Sequence, residues 1–156
     1  ALVMRPVGDT VYSRALKPFA EGRIDYQQAW EAGSGPIKGF MIEQILHAGR
    51  QDYLWKLYDH VEPPGPGRVD PTVAEEFPMR VVAPAFLLSE LTTALLMGFA
   101  IYLPFLVIDL VVSAVLAAMG LVLLPPALVA LPIKLILFVL ADGWFLVAGM
   151  LLRSFR

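Results

Sequence analysis

The sequence predicts an all-α protein: an integral-membrane-type helical hairpin with kinked helices, joined to a small soluble helical lobe. Three observations carry this. Charge is divided unevenly: residues 5–80 hold nine Lys/Arg and eleven Asp/Glu, whereas residues 81–152 hold only Glu90, Asp109, Lys134 and Asp142. The apolar stretch from Pro84 to Leu152 is interrupted by Pro125-Pro126. A proline pair removes two N–H donors and marks a turn, and its second member suits the first turn of the next helix. The polar part, finally, carries apolar residues three to four apart between helix-capping signals.

Residues 1–4 (ALVM) have the composition of the end of a preceding apolar segment. Residues 5–61 form the polar helical domain. Asp9 is placed to cap a helix carrying Val11, Tyr12, Ala15, Leu16 and Phe19, which Glu21-Gly22-Arg23 ends. Asp25 caps a short helix through Trp30, closed by Gly33. Ser34-Gly35-Pro36 starts another, with its proline near the first helical position and Ile37, Phe40, Met41 and Ile45 along one side, and Gly49 ends it. Asp52 opens a fourth, with Leu54, Leu57, Tyr58 and Val61 as its stripe. Residues 62–80 are a Pro/Gly-rich linker. Its Glu62–Pro71 portion, EPPGPGRVDP, reads as a stiff, polyproline-like spacer that buries almost nothing.

Residues 81–156 are the hairpin, with its tip at 120–126. Leu110–Ile133 is an uncharged run of 24 residues, above the ~20 that span a bilayer, but the proline pair in its middle divides it between two helices. Charges at such depth face a protein interior or an aqueous cavity and tend to be functional. Lys134 is the only base between Val81 and Leu152. In a straight antiparallel hairpin it lies opposite Ser113, with Asp109 about 6 Å farther along and Glu90 about 35 Å away. Geometry within one chain therefore favours Asp109 as its partner.

Several function classes are disfavoured. A net charge of −2 argues against nucleic acid. The absence of cysteine excludes disulfides and thiolate metal sites. Glu43 and His47 sit one helical turn apart without an HExxH pattern, so no metal site and no cofactor are expected. Trp30 and Trp55 are expected in the lobe's core. Asp109 and Asp142 invite comparison with an intramembrane aspartyl dyad, but Ala141 stands where a Gly-x-Gly-Asp signature needs glycine. No nucleophile elbow or phosphate loop is present either. A non-enzyme is expected. An ion channel or transporter subunit is the rival to a protein-conducting one, and the two differ in cargo.

The segments MRVVAPAFLLSEL, GFAIYLPFLVIDLVVSAVLAAMG and LLPPALVALPIKLILFVLADGW closely resemble the FliP/SctR family of type III export-gate proteins. PFAEGRIDYQQA (Pro18–Ala29) resembles that family's polar domain, less strongly. The resemblance implies that a signal sequence and further apolar segments come first in the family, so the chain is expected to be a processed or truncated form. It implies a homo-oligomer, usually a pentamer, built with FliQ and FliR into a closed helical cone. The other export-apparatus membrane proteins FlhA and FlhB, membrane lipid and unfolded secreted proteins are further partners. The flagellar system is favoured over the virulence injectisome. The implied location is the bacterial inner membrane at the flagellar basal body, with the lobe on the periplasmic side. The family's glutamate in SEL pairs with the lysine in LPxK of the neighbouring copy, here Glu90 and Lys134, which leaves Asp109 and Asp142 as further buried charges. Met119, Leu121, Val122 and Leu123 fall at the pore constriction, where many family members carry a methionine run instead of Leu-Val-Leu. Gly98, Pro104, Gly120, Pro125 and Pro126 are the expected hinges, since glycine and proline make bending cheap.

Overall fold

The computed structural model describes residues 4–121 and 123–154, and every regular element among them is helical. Packing divides the chain into two compact units, one up to Leu91 and one from Thr92 onward.

In the first unit, helix α1 (Arg5–Val11), a π-helical turn (Tyr12–Leu16) and α2 (Lys17–Ala20) follow one another without a break. The helix starts ahead of Asp9 because Pro6 occupies its first turn, where φ is preset and no N–H is needed. It ends as expected: Gly22 takes φ 68°, and the Arg23 and Gly22 N–H groups donate to Pro18 O (2.9 Å) and Phe19 O (3.0 Å). This is the Schellman closure that favours glycine. A capping box then opens α3 (Tyr26–His47). The Gln28 N–H donates to Asp25 Oδ1 at 2.8 Å, and the Asp25 N–H donates to Gln28 Oε1 at 3.2 Å.

The expected break at 33–36 does not occur, and α3 runs through Gly33, Gly35 and Pro36. Gly33 is buried, and a Cβ there would lie 3.3 Å from the Cβ of Ala15. That glycine lets the first helix approach α3 closely. The packing gained outweighs the one helical hydrogen bond that Pro36 removes. Trp30, expected inside, is 63% exposed.

Gly49 (φ 67°) closes α3, and α4 (Asp52–Val61) follows. Ile42 and Ile45 of α3 meet Leu54 and Tyr58 of α4, together with Phe77 and the start of α5 (Met79–Ala118) at Val81, Val82 and Ala85. Trp55 lies at the edge of this core with its ring edge-on to Phe77, 5.0 Å between centroids. Leu54 is 1% exposed, so Leu54→Ala is expected to destabilise the lobe by about 2–5 kcal/mol through lost burial and a residual cavity. Denaturant unfolding of the detergent-solubilised chain, followed by circular dichroism, measures this.

The Pro/Gly segment is folded back on α4 and is not a free spacer. The Tyr58 hydroxyl donates to Val69 O at 2.8 Å. Arg68 stacks 4.5 Å from the Tyr58 ring centroid and donates to Glu62 O (2.8 Å) and Asp59 Oδ1 (2.7 Å). It also pairs with Asp70, while Arg80 pairs with Glu62. Prolines take donors out of this segment, and the Tyr58 and Arg68 side chains supply donors to its Val69 and Glu62 carbonyls. At its far end, before the short 3₁₀ turn Ala74–Glu76, the Thr72 N–H donates to Glu76 Oε2 at 2.7 Å. That bond, with help from the Thr72 hydroxyl, holds the Glu76 carboxyl below its ordinary value of 4.5. A carboxyl lowered by folding stabilises above its unfolded pKa, and the stabilisation is lost as pH falls through the folded one. The lobe of the Glu76→Gln variant should therefore lose less stability than the parent on acidification below 4.5, as read by melting temperature across pH.

In the second unit α5 continues unbroken through Gly98 and Pro104. It ends at Gly120 (φ 73°), with Leu121 N–H donating to Leu116 O at 2.9 Å and Gly120 N–H to Ala117 O at 3.0 Å, another Schellman closure. Pro125 precedes α6 (Pro126–Leu140) as its N-cap, and Pro126 is the first helical residue. Val112 and Leu116 of α5 pack on Ala130 of α6, so the apolar segments fold back on each other.

The return arm is not one helix. It breaks at Ala141-Asp142 and bends by 63° into α7 (Gly143–Ser154). Asp142 takes φ 50°, a left-handed conformation that aspartate tolerates better than most residues. A Cβ on Gly143 would fall 2.3 Å from the Phe138 ring, so the bend needs a bare backbone there. Phe138 in turn sits edge-on to Trp144 at 5.4 Å and tilted against Phe105 at 6.2 Å. The bend leaves an apolar cavity of about 360 Å³ beside Pro104, Phe105, Phe138 and Val147.

Candidate functional site: the hairpin charges and the exposed tip

Lys134 lies on α6, two residues after Pro132, and Asp109 on the facing part of α5. Lys134 Nζ donates to Asp109 Oδ2 at 2.6 Å. Their side chains are 27% and 34% exposed in the single chain. Ser113, one turn farther along α5, donates its hydroxyl to Asp109 O at 2.6 Å. The pairing is the one that antiparallel hairpin geometry dictates within a chain.

Glu90 belongs to the first unit. It follows Ser89, which is completely buried, and is itself half-buried. Arg50 donates to Ser89 O at 2.7 Å and Ser89 Oγ at 3.1 Å. Asp142, expected among the buried charges, is exposed in the single chain, just past the end of α6. The dipeptide Asp142-Gly143 was the available signal, since Asp-Gly marks turns even inside an apolar run.

At the tip, Met119 is 65% and Leu123 is 99% exposed, with Leu121 also exposed. Val122 lies outside the described residues. Gly120, Pro125 and Pro126 occupy the turn between α5 and α6, whereas Gly98 and Pro104 lie inside α5. Bare aliphatic side chains of this kind on a tight turn present an apolar surface that one chain cannot cover.

On the polar side, Glu43 and His47 approach to 3.9 Å as an exposed pair. Among the described residues, no three His, Cys, Asp or Glu side chains converge as a metal site would require. α5 is long and apolar enough to cross a membrane, and almost none of its most apolar stretch is buried within the chain. The bent pair α6–α7 meets the same length and composition requirement when taken together.

Comparison with known proteins agrees with this architecture. The model of the FliP family matches residues 1–151. The chain is 46% identical over its whole length to the flagellar biosynthetic protein FliP of Caulobacter vibrioides, covering 55% of that protein. It is 44% identical over 98% of its length to that of Pectobacterium carotovorum, covering 56%. Against that of Cereibacter sphaeroides it is 42% identical over 98% of its length, covering 48%. It thus spans about half the length of these curated relatives. A family match over nearly every residue, on an all-α chain with a membrane-compatible hairpin, means that the chain belongs to the FliP family.

Proposed function

We propose that this chain is a core subunit of the flagellar type III protein export gate, which in several copies encloses the channel for unfolded flagellar proteins. The family match carries the reading. The relatives named are flagellar, which favours the flagellar gate over its injectisome counterpart. In this reading residues 5–61 are the lobe, 62–80 the linker and 81–156 the hairpin. Copies of the chain, a pentamer by resemblance, associate with FliQ and FliR next to FlhA and FlhB in the inner membrane of the flagellar basal body. The lobe lies on the periplasmic side.

The exposed apolar side chains along α5, α6 and α7 support assembly. Leu95, Leu128, Val139, Leu140 and Phe145 are all more than two-thirds exposed, and an isolated chain cannot hide them from water. Glu90 pairs with Lys134 of the neighbouring copy, and the tip closes the channel. The role is steric and electrostatic, with no catalytic step: hold a narrow pore shut and open it for a polypeptide. Native mass spectrometry of the detergent-extracted complex tests this. Several copies together with small hairpin proteins are expected. A monodisperse monomer that stays in solution without detergent overturns the reading.

A further inference from the structure

The Schellman closure of α3 places Arg50 in a definite direction. The Arg50 N–H donates to Ile45 O at 3.0 Å and the Gly49 N–H to Leu46 O at 2.9 Å. With Gly49 at φ 67°, the chain turns sharply and Arg50 leaves the helix end as its second residue past the cap. Its guanidinium reaches across to α5 and donates from one nitrogen to both the carbonyl and the hydroxyl of the fully buried Ser89. The next residue along α5 is Glu90, one position past the Ser89 that Arg50 holds. The lobe therefore anchors α5 one residue before the carboxylate that the proposed gate uses between copies.

We propose that Arg50 is the positioning residue for Glu90: by holding Ser89 it pins the Ser89–Glu90 turn of α5 and so orients the Glu90 carboxylate for Lys134 of a neighbouring copy. This rests on the export-gate reading of Glu90. Arginine suits the task because it is always charged and its planar guanidinium carries several donors in fixed directions. The lobe is then more than a spacer, since its α3 terminus prepares the contact that joins one copy to the next.

The test is a double-mutant cycle read as the fraction of chain in the assembled complex by native mass spectrometry. Arg50→Gln is expected to lower that fraction about tenfold, the size of one lost charged hydrogen bond. Arg50→Lys, which restores charge without the fork, should recover part of it. In a Glu90→Gln background, Arg50→Gln should change assembly by less than about twofold, because the carboxylate it serves is gone. A purely structural tether to Ser89 predicts the same loss in both backgrounds, and that result overturns the proposal. If Arg50→Gln fails to fold, Arg50→Lys against Arg50→Lys/Glu90→Gln decides on the same criterion. Unchanged assembly in Glu90→Gln alone overturns the inter-copy pair itself, which is a separate failure.

Discussion

Lys134→Glu is expected to abolish flagellar protein export and to reduce recovery of the assembled complex severely. In the single chain the Lys134–Asp109 pair is 27% and 34% exposed, so solvent screening holds its contribution to about 1 kcal/mol or less. If the copies of the proposed gate cover it, the balance changes. Removing one partner of a buried pair leaves an uncompensated charge, at about 3–5 kcal/mol per copy. A reversed charge adds repulsion from Asp109, and from Glu90 if a neighbour brings it close. The rescue experiment separates the two partners. Partial recovery of export in Glu90→Lys/Lys134→Glu supports the inter-copy pair of the proposed gate. Recovery only in Asp109→Lys/Lys134→Glu makes the contact seen within one chain the functional one and overturns the Glu90 assignment. Secreted flagellin and the assembled fraction, measured in the same strains, are the readouts.

The second large effect is expected at the tip. Replacing Leu121, Val122 and Leu123 together by alanine should make cells leak small ions and grow poorly while secretion continues. Leu123 is almost fully exposed, and Met119 and Leu121 of the same turn are exposed as well, so in a ring of copies these side chains would converge on the axis. A narrow apolar constriction excludes ions by dewetting, yet a polypeptide carrying its own apolar side chains can displace it. Truncation widens the constriction and removes the dewetted layer. Methionine at the same three positions should keep the seal, because volume and apolarity are roughly retained and the side chain adapts to its neighbours. Membrane conductance or small-solute uptake, set against secreted protein, is the measurement. A leak unchanged from the parent, with normal assembly, places the seal elsewhere and leaves these residues as packing.

The amino-acid sequence was enough for the all-α class, the ends of most helices and the tip. Those features depend on groups only a few residues apart: Asp25 and Gln28 in their capping box, Gly22, Gly49 and Gly120 in left-handed closures, Pro126 at a helix start. It also sufficed for the family, because the apolar motifs are distinctive, and it held the geometry that puts Lys134 beside Asp109 in one chain. Four features required the tertiary structure. The fusion of two expected helices into α3 rests on Gly33 meeting Ala15 across the lobe. Trp30 is exposed because of which face of α3 the neighbouring helices cover. The folding back of the Pro/Gly segment rests on hydrogen bonds from Tyr58 to Val69 O and from Arg68 to Glu62 O, pairings that its composition does not reveal. At the bend, the packing of the Phe138 ring on bare Gly143 is a contact that the Asp-Gly turn signal does not reveal. Local rules describe what a residue permits within a turn or two. Which permitted conformation is adopted depends on contacts between distant segments, whose packing energy outweighs a single proline or glycine preference.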